Sequence, residues 1–582
     1  MQPKKRSPLL YAGAGVILLL LMAAGYFLLS GKVEQNTNGA RIPIAVADFT
    51  NQTGEAELDG LSGMLITALE QSRRLSVLSR ARMFDILGQM GKSHVNRIDE
   101  ATGREISLQA GVTALVTASI RKLGRKYIID MKVLDPRGNE YLLTAREDGE
   151  GQESILAMID RLSEKTRQGL KEQTSEIQQS TKKVADVTTT NLEAYQHFFQ
   201  GEQFINKLKW RDAITEFEKA IALDSTFGLA YFRLGYSLSW NGTPGAEEAI
   251  NKALQYIDRV PEKEQYMIRA EKADIERDLP KALALYKAGL RKYPDEKEMI
   301  YIVGDISFHL AQYDSAIYYL KKVLAMDPRF ERAWQHLSWT YREADPAKWL
   351  ETAPQYLANV PTQGAYINLG AAYEANRHRD MGLETSETTQ ELFPESIGAV
   401  EGIAGNYIMR GEFTAARSEL RKLIGSDEPA RRREAGYRSL VVLSAYQGQF
   451  KQAFTYIDNL IQKNQKEDNR ANLAHVYATR AFWLAFGRGD FSGARMAIQT
   501  AGTYLDAATM TSYAGLFSAC ALTGNFDKIF QKAKQETNLF PFRTLIAEGY
   551  KQMDAGNYSQ AVDAYRAYLD KGVSYEMSHA RY

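Results

Sequence analysis

The sequence predicts a mainly α-helical protein in three parts: an N-terminal transmembrane helix, a small α/β domain with a mixed sheet, and an α-solenoid of paired helices. Three observations lead to this prediction. Residues 9–29 form an uncharged apolar run, and residues 41–170 alternate between strand-like and helix-like patterns. Residues 192–582 repeat small and aromatic residues about every 34 positions. A chain of 582 residues also exceeds the usual size of a single domain.

Charge and cysteine content exclude several classes of protein. The chain has 72 Lys and Arg against 71 Asp and Glu, a net charge of +1. Nucleic-acid binders usually carry a basic excess, so no nucleic-acid partner is expected. The single cysteine, Cys520, can form neither an intrachain disulfide nor a cysteine cluster around a metal.

The apolar run at residues 9–29 predicts the transmembrane helix. A helix of this length, at ~1.5 Å per residue, matches the roughly 30 Å hydrocarbon core of a bilayer. The run is longer than the ~7–15-residue core of a signal peptide, although Ala23, Ala24 and Gly25 leave a cleaved signal peptide open as the alternative. No cysteine lies directly after the run, which excludes a lipoprotein anchor.

The basic residues before this run predict its orientation. Lys4, Lys5 and Arg6 lie in a short tail, residues 1–8, that we expect to stay in the cytoplasm by the positive-inside rule. The rest of the chain would then face outward, which in a bacterium is the periplasm. The prediction is a single-pass protein of the inner membrane.

The segment 41–170 is predicted to form the α/β domain. Its strands are expected at 42–49, 75–78, 114–120, 127–134 and 141–146, and its helices at 58–69, 81–90, 104–110 and 155–170. The turn sequence from Asp135 to Gly138 joins the last two strands into a hairpin. Helices and strands that alternate and then end in a hairpin favour one mixed sheet covered by helices.

Three sequence segments of this domain carry a family resemblance: IAVADFTN, RLSVLSR and REISLQAGVTALVTASIRKLGRKYIIDMKVLD. In this order they resemble the N-terminal domain of TolB and the related FlgO and CsgG-like domains. The resemblance implies a bacterial envelope protein. Similar domains precede helical repeats in chains that often carry a kinase or cyclase domain upstream, where this chain has its apolar run.

Beyond a predicted linker at 171–191, small and aromatic residues recur in a fixed pattern. The clearest examples are Gly411-Phe413-Ala416, Gly448-Phe450-Ala453, Gly489-Phe491-Ala494 and Gly556-Tyr558-Ala561. Small residues let two antiparallel helices approach closely, aromatic residues fill the space beside them, and prolines such as Pro294 and Pro328 end the second helix.

This pattern resembles the tetratricopeptide repeat (TPR) family. We expect about eleven repeats. They begin near Ala194, Gly228, Lys263, Lys297, Glu331, Gln363, Ile397, Glu434, His475, Met510 and Phe542. Two departures put the local geometry in doubt: an insertion at 241–245, and Pro354 inside an expected helix.

The first helices of successive TPR pairs line a groove, so the candidate binding residues are polar and aromatic positions on those helices. By register they are Phe232, Tyr236, Tyr301, Asp305, Gln335, Trp339, Arg342 and Asn368. The alternative for each of them is packing against a neighbouring repeat.

Motifs for catalysis and cofactors fail on their context. Gly91-Lys92-Ser93 lacks the earlier glycine of a phosphate-binding loop, and no Gly-x-Ser-x-Gly elbow occurs. The seven histidines are scattered, without a pair at i, i+4 beside a glutamate. We therefore predict no catalytic residue, no cofactor and no metal ligand.

The function predicted from these observations is a non-enzymatic, membrane-anchored scaffold that binds proteins or peptides in the TPR groove. One alternative is the sensor or regulatory subunit of a signalling system whose kinase or cyclase domain is on a separate chain. A second alternative, an enzyme hidden in the α/β domain, lacks a visible nucleophile and base.

Overall fold

The computed structural model describes residues 41–504, except 93, 139, 208, 242, 277, 426, 427 and 468, together with 548, 552 and 555–570. The predicted cytoplasmic tail at 1–8 and the predicted transmembrane helix at 9–29 lie outside these residues. So do the predicted repeat that begins near Met510 and the start of the one near Phe542. Within the described part of the chain, every helix is too short or too polar to cross a membrane.

The described residues form two compact units. The first contains residues 41–55, 59–79 and 97–184, and the second contains residues 56–58, 80–96 and everything described from 185 onward. The first unit holds the sheet, and the second holds the helical repeats.

The sheet of the first unit is mixed, as predicted. Its strands are β1 Ile42–Val46, β2 Thr50–Asn51, β3 Leu75–Val77, β4 Ala114–Leu123, β5 Lys126–Leu134 and β6 Tyr141–Glu150. The strand order is β3-β1-β4-β5-β6, and β2 also pairs with β4. β1 runs parallel to β3 and β4, whereas β4, β5 and β6 form an antiparallel meander.

The first six helices of the chain are α1 Leu61–Glu70, α2 Arg80–Gln89, α3 Glu100–Ala110, α4 Ile155–Gly169, α5 Thr174–Ser180 and α6 Val184–Val187. The helix α4 buries Ile155, Ile159 and Leu162 along one stripe and contacts α1, β5 and β6. Asp99 caps the start of α3, and its side chain accepts a hydrogen bond from the backbone N–H of Thr102.

The region 171–191, predicted to be a linker, is partly helical. The helices α5 and α6 lie within it, and Ile177, Val184 and Val187 are buried. The scarcity of large apolar residues did not indicate these helices, and the boundary between the two units falls inside this region, after Val184. Glu172 is buried through an ion pair with Arg167, a contact that hydropathy alone does not reveal.

The helix α2 falls in the predicted α/β domain by sequence, yet it packs within the helical unit. The guanidinium of Arg80 lies 4.6 Å from the ring of Phe199. Asp85 forms an ion pair with Lys297, which also lies 3.1 Å from Asp327. These contacts are distant in sequence, so the helical periodicity of α2 could not predict them.

The helical unit contains nine consecutive helix pairs between residues 192 and 504. Their bounds are α7 Leu192–Asn206 with α8 Trp210–Leu223, α9 Gly228–Asn241 with α10 Ala246–Gln255, α11 Glu262–Ile275 with α12 Leu279–Lys292, α13 Lys297–His309 with α14 Tyr313–Met326, α15 Glu331–Ala344 with α16 Pro346–Asn359, α17 Gln363–Ala375 with α18 Arg379–Leu392, α19 Ile397–Met409 with α20 Phe413–Arg421, α21 Ala430–Tyr446 with α22 Phe450–Lys466, and α23 Arg470–Arg488 with α24 Phe491–Tyr504. A further helix covers Tyr558–Asp570. The nine pairs begin close to the predicted positions.

Small residues hold the two helices of a pair together, as the sequence pattern indicates. A side chain added at Gly201 would place its Cβ 2.5 Å from the ring of Phe217, and one added at Gly304 would lie 2.9 Å from Leu320. Contacts this short leave no room for a methyl group, which explains why glycine stands at these positions.

The two predicted departures have different outcomes. At the insertion, α9 ends at Asn241 and α10 begins only at Ala246, after Gly245 with a left-handed φ of 105°. Pro354, in contrast, lies inside α16, which continues without interruption to Asn359. The insertion therefore lengthens a loop, and the proline does not end its helix.

Candidate interaction surface

The first helices of the repeats form a layer that is weakest between α11 and α13 and between α21 and α23. Elsewhere the first helices of neighbouring pairs, such as α13 and α15 or α15 and α17, contact one another more extensively than the second helices of neighbouring pairs do. In tetratricopeptide arrays the first helices line the binding groove. We call the surface that the first helices present the inner face of the helical unit.

The predicted binding positions recur on this face because the repeat is regular. Tyr301 and Gln335 occupy equivalent positions of α13 and α15, and so do Asp305 and Trp339. Asp305 is followed at four residues by His309, and Trp339 is followed at three residues by Arg342, so each set shares one side of its helix.

Three of the eight predicted binding residues are internal. Phe232, Tyr236 and Tyr301 are only 1%, 2% and 1% exposed. They pack between helices, with Tyr236 6.4 Å from Phe232 and Tyr301 5.1 Å from Phe330 by ring centroids. The prediction that these three face outward was wrong because aromatic rings of this size are needed to fill the space between repeats.

The other five predicted residues reach the surface to different degrees. Trp339 is exposed at 38%, while Asp305, Gln335, Arg342 and Asn368 are half-buried. The Asn368 amide oxygen accepts a hydrogen bond of 3.1 Å from the indole of Trp349, and Arg342 lies 3.0 Å from Glu343. Nothing tests whether these five bind a partner, so this remains a prediction.

An arginine enclosed by aromatic rings lies at the same face and was missed by the sequence analysis. The guanidinium of Arg332 is 4.6 Å from the ring of Trp240 and 5.0 Å from the rings of both Tyr301 and Phe330. Trp240 keeps 37% of its surface exposed. Such contacts between a cation and aromatic faces are favourable and fix the orientation of the rings. The sequence signal for this cluster is the aromatic residue Phe330 directly before α15. The predicted binding positions were chosen only on first helices, so they did not include Phe330.

Charged side chains from several repeats meet nearby. Arg233 lies 3.0 Å from Glu202 and 3.2 Å from Glu298, and these carboxylates come from α7 and α13. Burial alone would lower the pKa of Arg233, but the two carboxylates outweigh this effect and raise it. The arginine is therefore always charged, and it ties the first helices of separate repeats together.

One buried carboxyl group in this region has a strongly shifted pKa. Glu271 on α11 is 5% exposed, and Tyr286 donates a hydrogen bond of 3.4 Å to it. Burial, with smaller contributions from Asp274 and Glu298, raises the pKa of Glu271 to about 8. At neutral pH this group is mostly protonated.

Two histidines surround the carboxylate of Asp305. Its Oδ1 lies 2.6 Å from Nε2 of His336 and 3.6 Å from Nε2 of His309. Burial would raise the pKa of Asp305, but the two imidazoles outweigh it and hold that pKa well below its usual range. Only Asp305 of this cluster was singled out from the sequence. The i, i+4 spacing of Asp305 and His309 on one helix was the available signal.

Comparison with known proteins supports the repeat assignment in part of the chain. The family model described as "Tetratricopeptide repeat" matches residues 276–329, which include α12, α13 and α14. No curated protein matches the sequence.

Several solved structures are similar to parts of the chain. MamA 41-end from Desulfovibrio magneticus RS-1 is 20% identical over 28% of this chain and 92% of its own length, with a TM-score of 0.26. PilW, described as a widely conserved type IV pilus biogenesis factor, is 18% identical over 37% of this chain and 97% of its own, with a TM-score of 0.31. Yeast Tom70 is 14% identical over 66% of this chain and 93% of its own, with a TM-score of 0.35.

The resemblance of residues 41–170 to TolB, FlgO and CsgG-like domains has no support from these comparisons and stays a prediction. The segment 276–329 has the sequence of tetratricopeptide repeats, and the predicted TPR assignment is confirmed there.

Proposed function

We propose that this chain is a non-enzymatic scaffold that binds a protein or peptide on the inner face of its helical repeats. The support comes from the layer of first helices, which presents side chains from successive repeats along one surface. The tetratricopeptide match at 276–329 lies within this layer and its supporting second helices.

The observation that carries the proposal is the exposed indole of Trp339. Its ring is held from one side, 4.7 Å from the ring of His336 and 6.3 Å from that of Phe308, and 38% of its surface remains open to solvent. A large aromatic group that is held in place in this way loses little conformational freedom on binding, which is typical of residues that dominate interfaces.

Polar groups border this indole. Gln335 lies one helical turn before Trp339, and Arg342 lies one turn after it, both half-buried. A partner would place an apolar side chain on Trp339 and hydrogen-bonding groups beside Gln335 and Arg342. This combination of an apolar centre and a polar rim is the usual composition of a protein interface.

Site-specific photo-crosslinking in cells tests the proposal. A photoreactive amino acid at position 339, on the first helix α15, should give a defined crosslinked polypeptide. Tyr318 is the matched control, because it is 64% exposed but lies on the second helix α14. Equal crosslinking at both positions, or none at 339, would contradict binding at the inner face.

We further propose that residues 9–29 anchor the scaffold in the inner membrane, with the repeats in the periplasm. The support is the uncharged run itself and the preceding Lys4, Lys5 and Arg6. Fusion of alkaline phosphatase after Tyr582 should give an active enzyme, whereas a green fluorescent protein fused there should stay dark. The reverse pattern would place the repeats in the cytoplasm.

A further inference from the structure

Asp305, His309 and His336 bring three metal-ligating groups together from two consecutive repeats. Asp305 and His309 lie one turn apart on α13, and His336 comes from α15. The ligand atoms of all three side chains lie within 4.8 Å of one another. The cluster therefore depends on the stacking of two repeats and is not a feature of one helix.

Nε2 of His336 faces the carboxylate of Asp305, and Nδ1 of the same ring contacts two other groups. Nδ1 lies 3.0 Å from the backbone carbonyl oxygen of Arg332 and 3.3 Å from the hydroxyl of Tyr301. The carbonyl oxygen can only accept a hydrogen bond, whereas the hydroxyl can donate or accept one, so Nδ1 is satisfied in either tautomer of the neutral ring. In the tautomer with its hydrogen on Nδ1, Nε2 directs a lone pair at Oδ1 of Asp305, 2.6 Å away.

Two acceptors at this distance require a cation between them. It can be a proton on Nε2 or a metal ion bound by both atoms. A histidine whose second nitrogen donates to a backbone carbonyl is the arrangement that orients metal ligands in proteins. His309 adds a third ligand, with its Nε2 3.6 Å from Oδ1 of Asp305.

The spacing suits a small divalent ion. Ligand bonds of ~2.0–2.2 Å to zinc, in tetrahedral geometry, place neighbouring ligand atoms about 3.4 Å apart. The distance between Asp305 and His309 already matches, and that between Asp305 and His336 would widen by roughly 0.8 Å through small side-chain rotations.

The surroundings favour binding as well as access. The side chains of His336, Asp305 and His309 are 11%, 20% and 32% exposed, so the cluster is shielded but still accessible to solvent. Trp339 and Phe308 lie against the imidazoles and lower the local polarity. One carboxylate and two imidazoles are a ligand set that zinc and similar transition-metal ions prefer over magnesium or calcium.

We propose that Asp305, His309 and His336 form a binding site for a divalent transition-metal ion of the zinc type, with one coordination position open toward the inner face. The ion would join α13 to α15 and stiffen the stack of repeats beside Trp339. This inference departs from the sequence analysis, which predicted no metal ligand, and it does not rest on the proposed scaffold function.

Titration of the tag-free full chain in detergent, first freed of metal with a chelator, tests the site. Zinc added against a competing fluorescent indicator should bind with one equivalent at this cluster. His336→Ala and His309→Ala should each weaken that binding by about tenfold or more. Cobalt in place of zinc should give the visible absorption of a tetrahedral site, and this signal should disappear in both variants.

His197 provides the matched control. Its Nδ1 lies 2.6 Å from Glu216, a histidine–carboxylate pair without a third ligand among the described residues. His197→Gln should leave zinc binding unchanged. Asp305→Asn, which keeps the shape of the side chain, guards against misfolding, and circular dichroism should confirm that each variant is folded. Absence of stoichiometric binding, or binding that survives both histidine substitutions, would overturn the metal site and leave a proton between His336 and Asp305.

Discussion

The sheet unit and the helical unit bury charge in different ways. In the sheet unit, Arg167 and Glu172 are fully buried and form two hydrogen bonds of 2.9 and 2.7 Å. Ser72, Ser180 and Thr181 supply the remaining partners of the pair. All of these residues except Ser72 are close in sequence. The side chains of Arg167 and Glu172 have no surface exposed to solvent, so we call this a dry pair.

In the helical unit, the corresponding charges come from separate repeats and keep contact with water. The side chains of Arg233, Glu202 and Glu298 are 14%, 29% and 23% exposed. The comparison shows that a closed local pair can be sealed from solvent, whereas a set of charges assembled across repeats stays partly hydrated. A dry pair tolerates the loss of a partner much less than a hydrated one.

The largest effect is expected for Arg167→Met. It leaves Glu172 buried without its cation, which should lower the free energy of unfolding of the sheet unit by about 3–5 kcal/mol. Hydrogen exchange of peptides covering 155–187 would measure this loss. Arg146→Met is the control, because Arg146 pairs with Asp130 at 64% exposure and should cost no more than about 1 kcal/mol. Similar losses for both variants would contradict the role given to the dry pair.

The next effect concerns Glu271 and depends on pH. Its pKa is raised to about 8 in the folded chain from an ordinary 4.5, so the folded state holds a proton that the unfolded state releases. The associated stability is therefore complete below about pH 4.5 and is lost progressively as pH rises to about 8. Glu271→Gln removes this loss and should stabilise the helical unit by roughly 3–5 kcal/mol at pH 8.

Denaturant unfolding at pH 5, 6.5 and 8 would measure the difference between Glu271→Gln and the wild type. Glu276→Gln, at the exposed residue that directly follows α11, should reproduce the wild-type profile. If the free energies of unfolding of Glu271→Gln and the wild type differed by the same amount at all three pH values, protonation of Glu271 would not be the cause of that difference.

Arg233→Met should have a smaller effect than Arg167→Met. Water can reach the two carboxylates left behind, so we expect a loss of about 1.5–3 kcal/mol in the helical unit. Added salt should reduce this loss because it screens charges that are partly exposed, and it should leave the Arg167→Met loss unchanged. Hydrogen exchange of peptides from α9 at low and high salt would distinguish the two. If added salt reduced the losses of Arg233→Met and Arg167→Met equally, the two units would not differ in how they bury charge.

The smallest effect is expected for Gly201→Ala, which tests the close approach of helices without changing charge. The new methyl group would collide with Phe217, at a cost of about 1–2 kcal/mol. Gly405→Ala is the control on another first helix, where a Cβ would meet nothing within 4 Å. There the variant should gain up to about 1 kcal/mol because alanine favours helices. Thermal unfolding of both variants would give the comparison, and destabilisation of both would argue against a specific collision.

Much of the fold could be predicted because its elements have strong local patterns. The run from Ile42 to Val46, the hairpin around Asp135 and the repeats beginning near Gly228 and Lys297 lie where periodicity placed them. The binding surface was predicted less well. The register placed Tyr301 and Trp339 together on first helices, but it could not separate the buried Tyr301 from the exposed Trp339.

Local sequence patterns were enough to predict the mixed sheet, the paired helices and the segment that matches tetratricopeptide repeats, because alternation, helical spacing and small residues act over short stretches of chain. Three contacts became visible only in the folded chain: α2 packs with the repeats, Arg167 pairs with the buried Glu172, and His336 meets Asp305. Each of these contacts depends on which side chains face each other once the chain is folded. Burial and pairing arise from that arrangement, and the order of residues along the chain does not specify them locally.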